Sequence, residues 1–317
     1  GKSQPNTLLV MALASASGLL LAFGVAVLID LSEGGFRTSE QVEGELGASC
    51  LAVVPRLKVA SGKSAATEDT ARSSSRKVTP AGVLSGVIEA PFSRFAEAFR
   101  TIKVSIDLVL MGNPVKVIGI TSTQPNEGKS TVAANLARLV AHAGGNAILL
   151  DCDLRNPSLT RALAPGAEIG LLDVVAGKRQ LSEVIWMDSA TSLSFVPMVA
   201  KTRISHTNEI LASPGMKKLV DELRKKYEYV LIDLPPLTPV VDVRSTKQLI
   251  DSYLFIAEWG AAAVESVKQA LASAPVVQDN LLGVVLNKAD LDAMRHYSRG
   301  GGYRYKDRYL ERYGFED

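Results

Sequence analysis

Cysteine is scarce in this chain, with Cys50 and Cys152 the only two in 317 residues. They lie far apart and lack metal-ligand spacing, which argues against a disulfide framework or a cysteine-based zinc site. Both read as inert small residues in a reducing compartment. Net charge is also small, at +2, so nothing points to wholesale nucleic-acid binding. A hydrophobic content of 47% excludes global disorder. Internal repeats are absent. The length suits one large domain with additions, or two domains.

Charge is missing altogether from Thr7 to Ile29, TLLVMALASASGLLLAFGVAVLI. At ~1.5 Å per residue this run reaches about 35 Å, against a hydrocarbon core of about 30 Å. Ala12, Ala14, Ala16, Gly18 and Gly24 would suit close helix packing in a membrane. No polar face supports an interfacial helix. A signal peptide is poorly supported, since the chain starts at Gly1 and offers only Lys2 as a basic flank. A buried soluble helix would be unusually long. We expect a transmembrane helix with a short external flank at 1–31. The missing Met predicts the C-terminal part of a longer protein.

What is present begins with IGITSTQPNEGKST, Ile118 to Thr131. The apolar run Val115–Ile120 predicts a buried strand. The helical period Val132, Leu136, Leu139, Val140 follows the loop. This is the setting of a phosphate-binding loop, although Thr123 stands where the first glycine belongs. Backbone N–H groups and the helix N-terminus would face the anion, and Gly128 lets the backbone approach it closely. Lys129 is placed for the β- and γ-phosphates, and the Ser130 hydroxyl for Mg²⁺. Two more apolar runs, AILLD at 147–151 and VLID at 230–233, end in carboxylates. In an open parallel sheet that edge is where ligands bind. A cytosolic nucleotide would place the N-terminus of the chain outside the membrane.

Strand candidates at 115–121, 147–151, 193–197, 229–233, 253–257 and 281–286 alternate with helical patterns. The fold class expected is α/β, a P-loop NTPase-like, mostly parallel sheet flanked by helices and preceded by the transmembrane helix. Residues 32–57 form a juxtamembrane segment, with Thr38 or Ser39 as cap of a short helix and a strand after it. Residues 58–88 are set apart as a linker, because Lys58–Thr79 is rich in Ser, Ala, Lys and Arg without apolar period. Pro91–Met111 has an apolar helical face of Phe95, Ala98, Phe99, Ile102 and Ile106. Glu97, Arg100 and Lys103 lie roughly on one side of it, either as a solvated face or as a helix–helix contact between subunits.

Five of the eight tyrosines fall in the last 21 residues: Tyr297, Tyr303, Tyr305, Tyr309 and Tyr313. Glycine and basic residues surround them without an apolar period, so the tail at 295–317 cannot build a core. It could stack on single-stranded nucleic acid or accept phosphate.

Together these segments resemble the bacterial tyrosine kinases of the BY-kinase family, more narrowly the cytoplasmic part of a Wzc/ExoP-type polysaccharide co-polymerase. ILLDCDLRNP at 148–157 and VLIDLPP at 230–236 match the family's second and third motifs. The phosphate loop resembles the first, with Asn126 where glycine is usual. Glu97-x-x-Arg100-x-x-Lys103 resembles the family's ring-forming helix motif, with lysine where arginine is common. The resemblance implies an ATP-binding kinase domain at 89–294, with ATP and Mg²⁺ as cofactors, and a tail of autophosphorylated tyrosines. Lys129, Asp151, Asp153 and Asp233 would be catalytic. Glu127, Gly128, Lys129, Ser130, Thr131, Arg155 and Asn287 would contact ATP, and Ser130, Asp153 and Asp233 the metal. Asp151 and Asp153 can exchange roles. Arg155 either touches phosphate or pairs with a carboxylate, and Asn287 either touches adenine or caps. Implied partners are further copies in a ring, the polysaccharide polymerisation and export machinery, a tyrosine phosphatase and the inner membrane, with the kinase domain cytoplasmic and no nucleic acid. The competing expectations are a partitioning-type ATPase switch, against which Gln124 argues, and a chain-length scaffold without kinase activity.

Overall fold

In the computed structural model, residues 7–32, 34–57, 76–78, 82–238 and 240–297 are described. Nine strands form one sheet: β1 (Cys50–Pro55), β2 (Lys77–Val78), β3 (Lys116–Ser122), β4 (Ala147–Asp151), β5 (Trp186–Asp188), β6 (Ser194–Val196), β7 (Tyr229–Asp233), β8 (Ser252–Glu258) and β9 (Leu281–Ala289). Their order is β1-β9-β8-β3-β7-β4-β6-β5-β2. Among the described residues, every pairing of these strands except β5–β6 is parallel. Helices cover both faces, so the central strands are apolar almost throughout. Successive residues serve opposite cores: Ile148 and Leu150 pack on one face, Leu149 on the other.

The order of the strands builds the site. The chain leaves β3, and β7 later inserts between β3 and β4. Register then sets Asp233 opposite both Ile120 and Asp151. The phosphate loop and both aspartate motifs therefore meet at one sheet edge, the crevice such sheets use for ligands.

The juxtamembrane residues join this sheet. Thr38 caps the Ser39–Leu46 helix in a reciprocal box with Gln41, and β1 pairs with β9 as an edge strand. Phe36 is fully buried, and an antiparallel bridge joins Gly35 to Ala263. A Cβ on Gly35 would lie 2.3 Å from the Gly260 carbonyl oxygen, so only glycine fits there. Of the linker, 58–75 and 79–81 lie outside the described residues, while β2 pairs with β5. Two short strands, β2 and β5, were not foreseen, because two or three residues carry no readable period. The Thr7–Ser32 helix contains an apolar window, Leu8–Val25, of mean hydropathy 2.3 with none of it buried. It is long and apolar enough to cross a membrane.

Candidate active site

The phosphate loop links β3 to the Lys129–His142 helix. Asn126 has φ 70° and Gly128 φ 95°. Asparagine tolerates the left-handed region, which accounts for its standing where glycine would otherwise serve. Gly128 has no such substitute: a Cβ there would lie 2.1 Å from the Asn287 side-chain nitrogen. That nitrogen donates to the Glu127 carbonyl at 2.8 Å. Asn287, at the sheet-edge end of β9, thus fastens the loop from beneath. Lys288 donates to the Asn126 carbonyl beside it and pairs with Glu258 at 2.9 Å. The Glu127 carboxylate accepts the Gln124 N–H at 2.7 Å, and burial pushes its pKa up. Thr131, Asn287 and Lys288 line a cavity of about 350 Å³ with Pro55, Leu57 and Phe95. Alanine at Gly128 should lower nucleotide affinity about 10–100-fold, the reach of 1–3 kcal/mol of backbone strain; titration with a fluorescent nucleotide reads this.

The Lys129 ammonium lies 2.9 Å from Asp153 and 3.3 Å from Asp233. Burial alone would lower its pKa, but Asp233 and Asp153 outweigh burial and raise it. The Ser130 hydroxyl donates to Asp233 at 2.6 Å and accepts from Ser158 at 2.9 Å. Asp151 accepts the Thr160 N–H at 2.8 Å, the Thr160 hydroxyl at 2.7 Å and the Asp153 N–H at 3.3 Å. Burial and the neighbouring Asp233 nonetheless raise Asp151 to about 7. Burial also raises Asp233, to about 6, although Lys129 and Ser130 counter it. Arg155 pairs with the buried Asp242 at 2.8 and 3.2 Å, and Thr207 donates to the same carboxylate at 2.9 Å.

Lys129, Ser130, Asp151, Asp153 and Asp233 therefore come together. Ser158, Thr160 and Asp242, which sequence reasoning missed, hold three of their neighbours in place. Asp242 lies in a 3-10 helix nine residues beyond Asp233, with no local signal.

Elsewhere, Arg100 reaches Glu97 at 2.9 Å on the Arg94–Val109 helix. Lys103 reaches Asp107 at 2.7 Å and lies 5.7 Å above the Tyr229 ring. Tyr297 sits beneath the Arg37 guanidinium at 4.4 Å and edge-on to Trp259 at 6.2 Å. The Trp259 indole donates to the Arg37 carbonyl at 2.8 Å, so the start of the tail rests on the juxtamembrane segment. Tyr303, Tyr305, Tyr309 and Tyr313 lie outside the described residues.

The fold and the loop define a phosphate-loop nucleotide-binding protein of α/β class. The AAA domain family matches residues 115–286. The succinoglycan biosynthesis transport protein ExoP of Rhizobium meliloti is 34% identical over 98% of the chain and 41% of its own length. The tyrosine-protein kinase YwqD of Bacillus subtilis is 30% identical over 70% of the chain and 92% of its own length. The kinase domain of the Escherichia coli tyrosine kinase ETK superimposes with a TM-score of 0.68, covering 80% of the chain and 94% of that domain at 22% identity. The chain belongs to the bacterial tyrosine-protein kinase family of AAA-domain proteins. It spans less than half the length of the ExoP relative.

Proposed function

We propose that this chain is an ATP-dependent protein-tyrosine autokinase, anchored in the inner membrane by its apolar helix, with the kinase domain cytoplasmic. The carrying observation is the convergence of Lys129, Ser130, Asp153 and Asp233 within hydrogen-bond distance at one end of β3, β4 and β7, in a chain whose sequence ends in a tyrosine cluster. The name of ExoP, a succinoglycan biosynthesis transport protein, supports a role in exopolysaccharide polymerisation and export, and that of YwqD supports the kinase activity.

The residues fit a nucleotide and Mg²⁺. The Thr123 hydroxyl, at the start of the loop, is buried without a partner among the described residues. Among the described residues no three His, Cys, Asp or Glu side chains could hold an ion by themselves. Mg²⁺ does not need such a cage, since it takes one or two carboxylates and completes its shell with water and phosphate oxygens. Ser130, Asp153 and Asp233 are the oxygen donors that would hold it, and bound there it would neutralise charge on the phosphates. Lys129 and the loop N–H groups at 126–131 bind the phosphates, and the 350 Å³ cavity receives the base. Asn287 acts by fastening the loop, and Arg155 by its pair with Asp242. Asp151 orients the tyrosine hydroxyl and takes its proton. The tyrosine oxygen bonds to the γ-phosphorus as the bond to the β–γ bridging oxygen breaks, and ADP leaves with that electron pair.

Acceptors are the tail tyrosines Tyr297, Tyr303, Tyr305, Tyr309 and Tyr313 of a neighbouring copy, in a ring in which Glu97, Arg100 and Lys103 meet the next subunit. A phosphatase resets them. The experiment is phosphotyrosine mass spectrometry after incubation with Mg-ATP. Tail phosphotyrosine in the wild type and none in Lys129→Ala is expected; ATP hydrolysis without phosphotyrosine would replace the kinase by an ATPase switch. Residues 295–317 hold six Arg or Lys against four Asp or Glu. Five phosphates would add roughly −8 to −10 charges. The phosphorylated tail should leave acidic sites and loosen the ring. Sedimentation of phosphorylated and Tyr→Phe tail forms would then differ; identical assembly states would refute the switch.

A further inference from the structure

Beside the second aspartate motif lies a groove of about 890 Å³, between the Ser158–Leu163 helix and the loop at 198–204. Four cations line it, Arg155, Arg161, Lys201 and Arg203, and no carboxylate does. Asp242 neutralises Arg155. Among the described residues Arg161 donates only to the neutral Asn156 amide oxygen, at 2.7 Å. Lys201 and Arg203 are exposed, and among the described residues neither side chain has an ion-pair or hydrogen-bond partner. The carboxylates across the same loop, Glu168, Asp173 and Glu209, line an adjoining cleft that Lys201 and Arg203 also border, yet none of them forms an ion pair with either cation among the described residues. Three positive charges without an ion pair among the described residues therefore line the groove, two of them shared with that cleft. The wall of the groove includes Thr160, whose hydroxyl donates at 2.7 Å to the buried Asp151, so a single side chain lies between the groove and the carboxylate assigned the acceptor proton.

We propose that this groove is the acceptor subsite and that it selects Tyr313 of a second copy through the acidic residues around that tyrosine. The inference rests on the kinase reading. Charge singles out the occupant. Within four residues of Tyr313 stand three carboxylates, Glu311, Glu316 and Asp317, against the single cation Arg312. The same window around Tyr297, Tyr303, Tyr305 or Tyr309 is net positive in each case. A groove with surplus positive charge attracts the first and repels the other four. Leu154 and Met198 supply apolar lining for the ring. In the bound arrangement the Tyr313 oxygen bonds to the γ-phosphorus, its proton passes to Asp151, and ADP leaves with the electrons of the broken bridging bond. Lys201 and Arg203 touch the flank of the acceptor and not the reacting atoms, so they set specificity and not the rate of bond formation.

The test is a time course of site-resolved phosphorylation in the full chain, wild type against Lys201→Glu/Arg203→Glu. Tyr313 should be modified first in the wild type. Its initial rate should fall about 10-fold in the variant, the scale of two lost charge contacts, while Tyr303 and Tyr305, no longer repelled, lose nothing and gain rate. Adding Glu316→Lys/Asp317→Lys should restore Tyr313. An unchanged Tyr313 rate, or an equal loss at every tyrosine, would overturn the assignment. If no phosphotyrosine forms anywhere, the kinase reading fails, and binding decides the groove separately. A fluorescent peptide of residues 311–317 should then bind the wild type in a salt-sensitive way, bind the variant about 10-fold more weakly, and regain affinity for the variant when its own acids are lysines. Equal binding to both proteins would overturn the groove as well.

Discussion

Alanine at Lys129 should abolish phosphate transfer and also destabilise the empty protein, more so as pH rises. The ammonium is buried between Asp153 and Asp233. Removing it takes away the cation in direct contact with a cluster of buried carboxylates. Breaking a buried pair from one side costs about 3–5 kcal/mol, because the partner stays buried and unpaired. The sign with pH follows from the carboxyls. Asp151 and Asp233 are raised to about 7 and about 6, so the folded state holds protons that the unfolded chain has already lost. Stability from such groups falls as pH rises from about 4 towards the folded values. Lys129 lowers both carboxyl values, and it remains charged itself because its pKa is raised. Without it the two carboxyls titrate higher still and the window widens. Urea unfolding should therefore show a small deficit for Lys129→Ala at pH 5 and a large one at pH 8. An equal deficit at both values would mean that the ammonium serves packing and not charge.

That cluster was largely legible before any coordinates. Buried parallel strands must be apolar on both faces, so β3, β4 and β7 stand out as short runs, and each run ends in polar residues of local spacing. Gly128, Lys129 and Ser130 are adjacent, and a loop motif is by nature a local signal. What was not legible depends on distant chain. Thr160 fixes Asp151 only because the helix at 158–163 folds back over the end of β4. Asp242 reaches Arg155 across 87 positions. The sequence left Asn287 between an adenine contact and a cap. Its side chain holds the Glu127 carbonyl, a role that requires β9 to be aligned beneath the loop and that local sequence does not signal. The juxtamembrane strand β1 was readable as a strand, but its place on the sheet edge beside β9 was not, since an apolar run does not name its neighbour.

Asparagine at Asp151 should act in opposite directions on activity and stability. If Asp151 takes the tyrosine proton, losing the base should slow transfer by about 10²–10⁴-fold, while the γ-phosphate is still bound by Lys129 and the loop. Stability should move the other way. The wild-type carboxyl is buried next to Asp233 and raised to about 7, so above that pH an ionised group is held at a cost. Asparagine imitates the neutral acid and can still accept from Thr160 through its carbonyl oxygen. One orientation cost remains, because its amide then faces the Asp153 N–H, which the carboxylate accepts at 3.3 Å. The gain should be about 2–3 kcal/mol larger at pH 8 than at pH 5, and it should vanish only near pH 4, where the unfolded chain keeps the proton as well. Paired urea titrations at the two pH values, with tail phosphorylation measured alongside, check both halves. Full transfer activity in Asp151→Asn with the stability gain intact would move the base to Asp153 and leave Asp151 a buried acid held for its bonds to Thr160. Lost transfer without any pH-dependent gain would mean that Asp233, not Asp151, carries the raised proton of the pair.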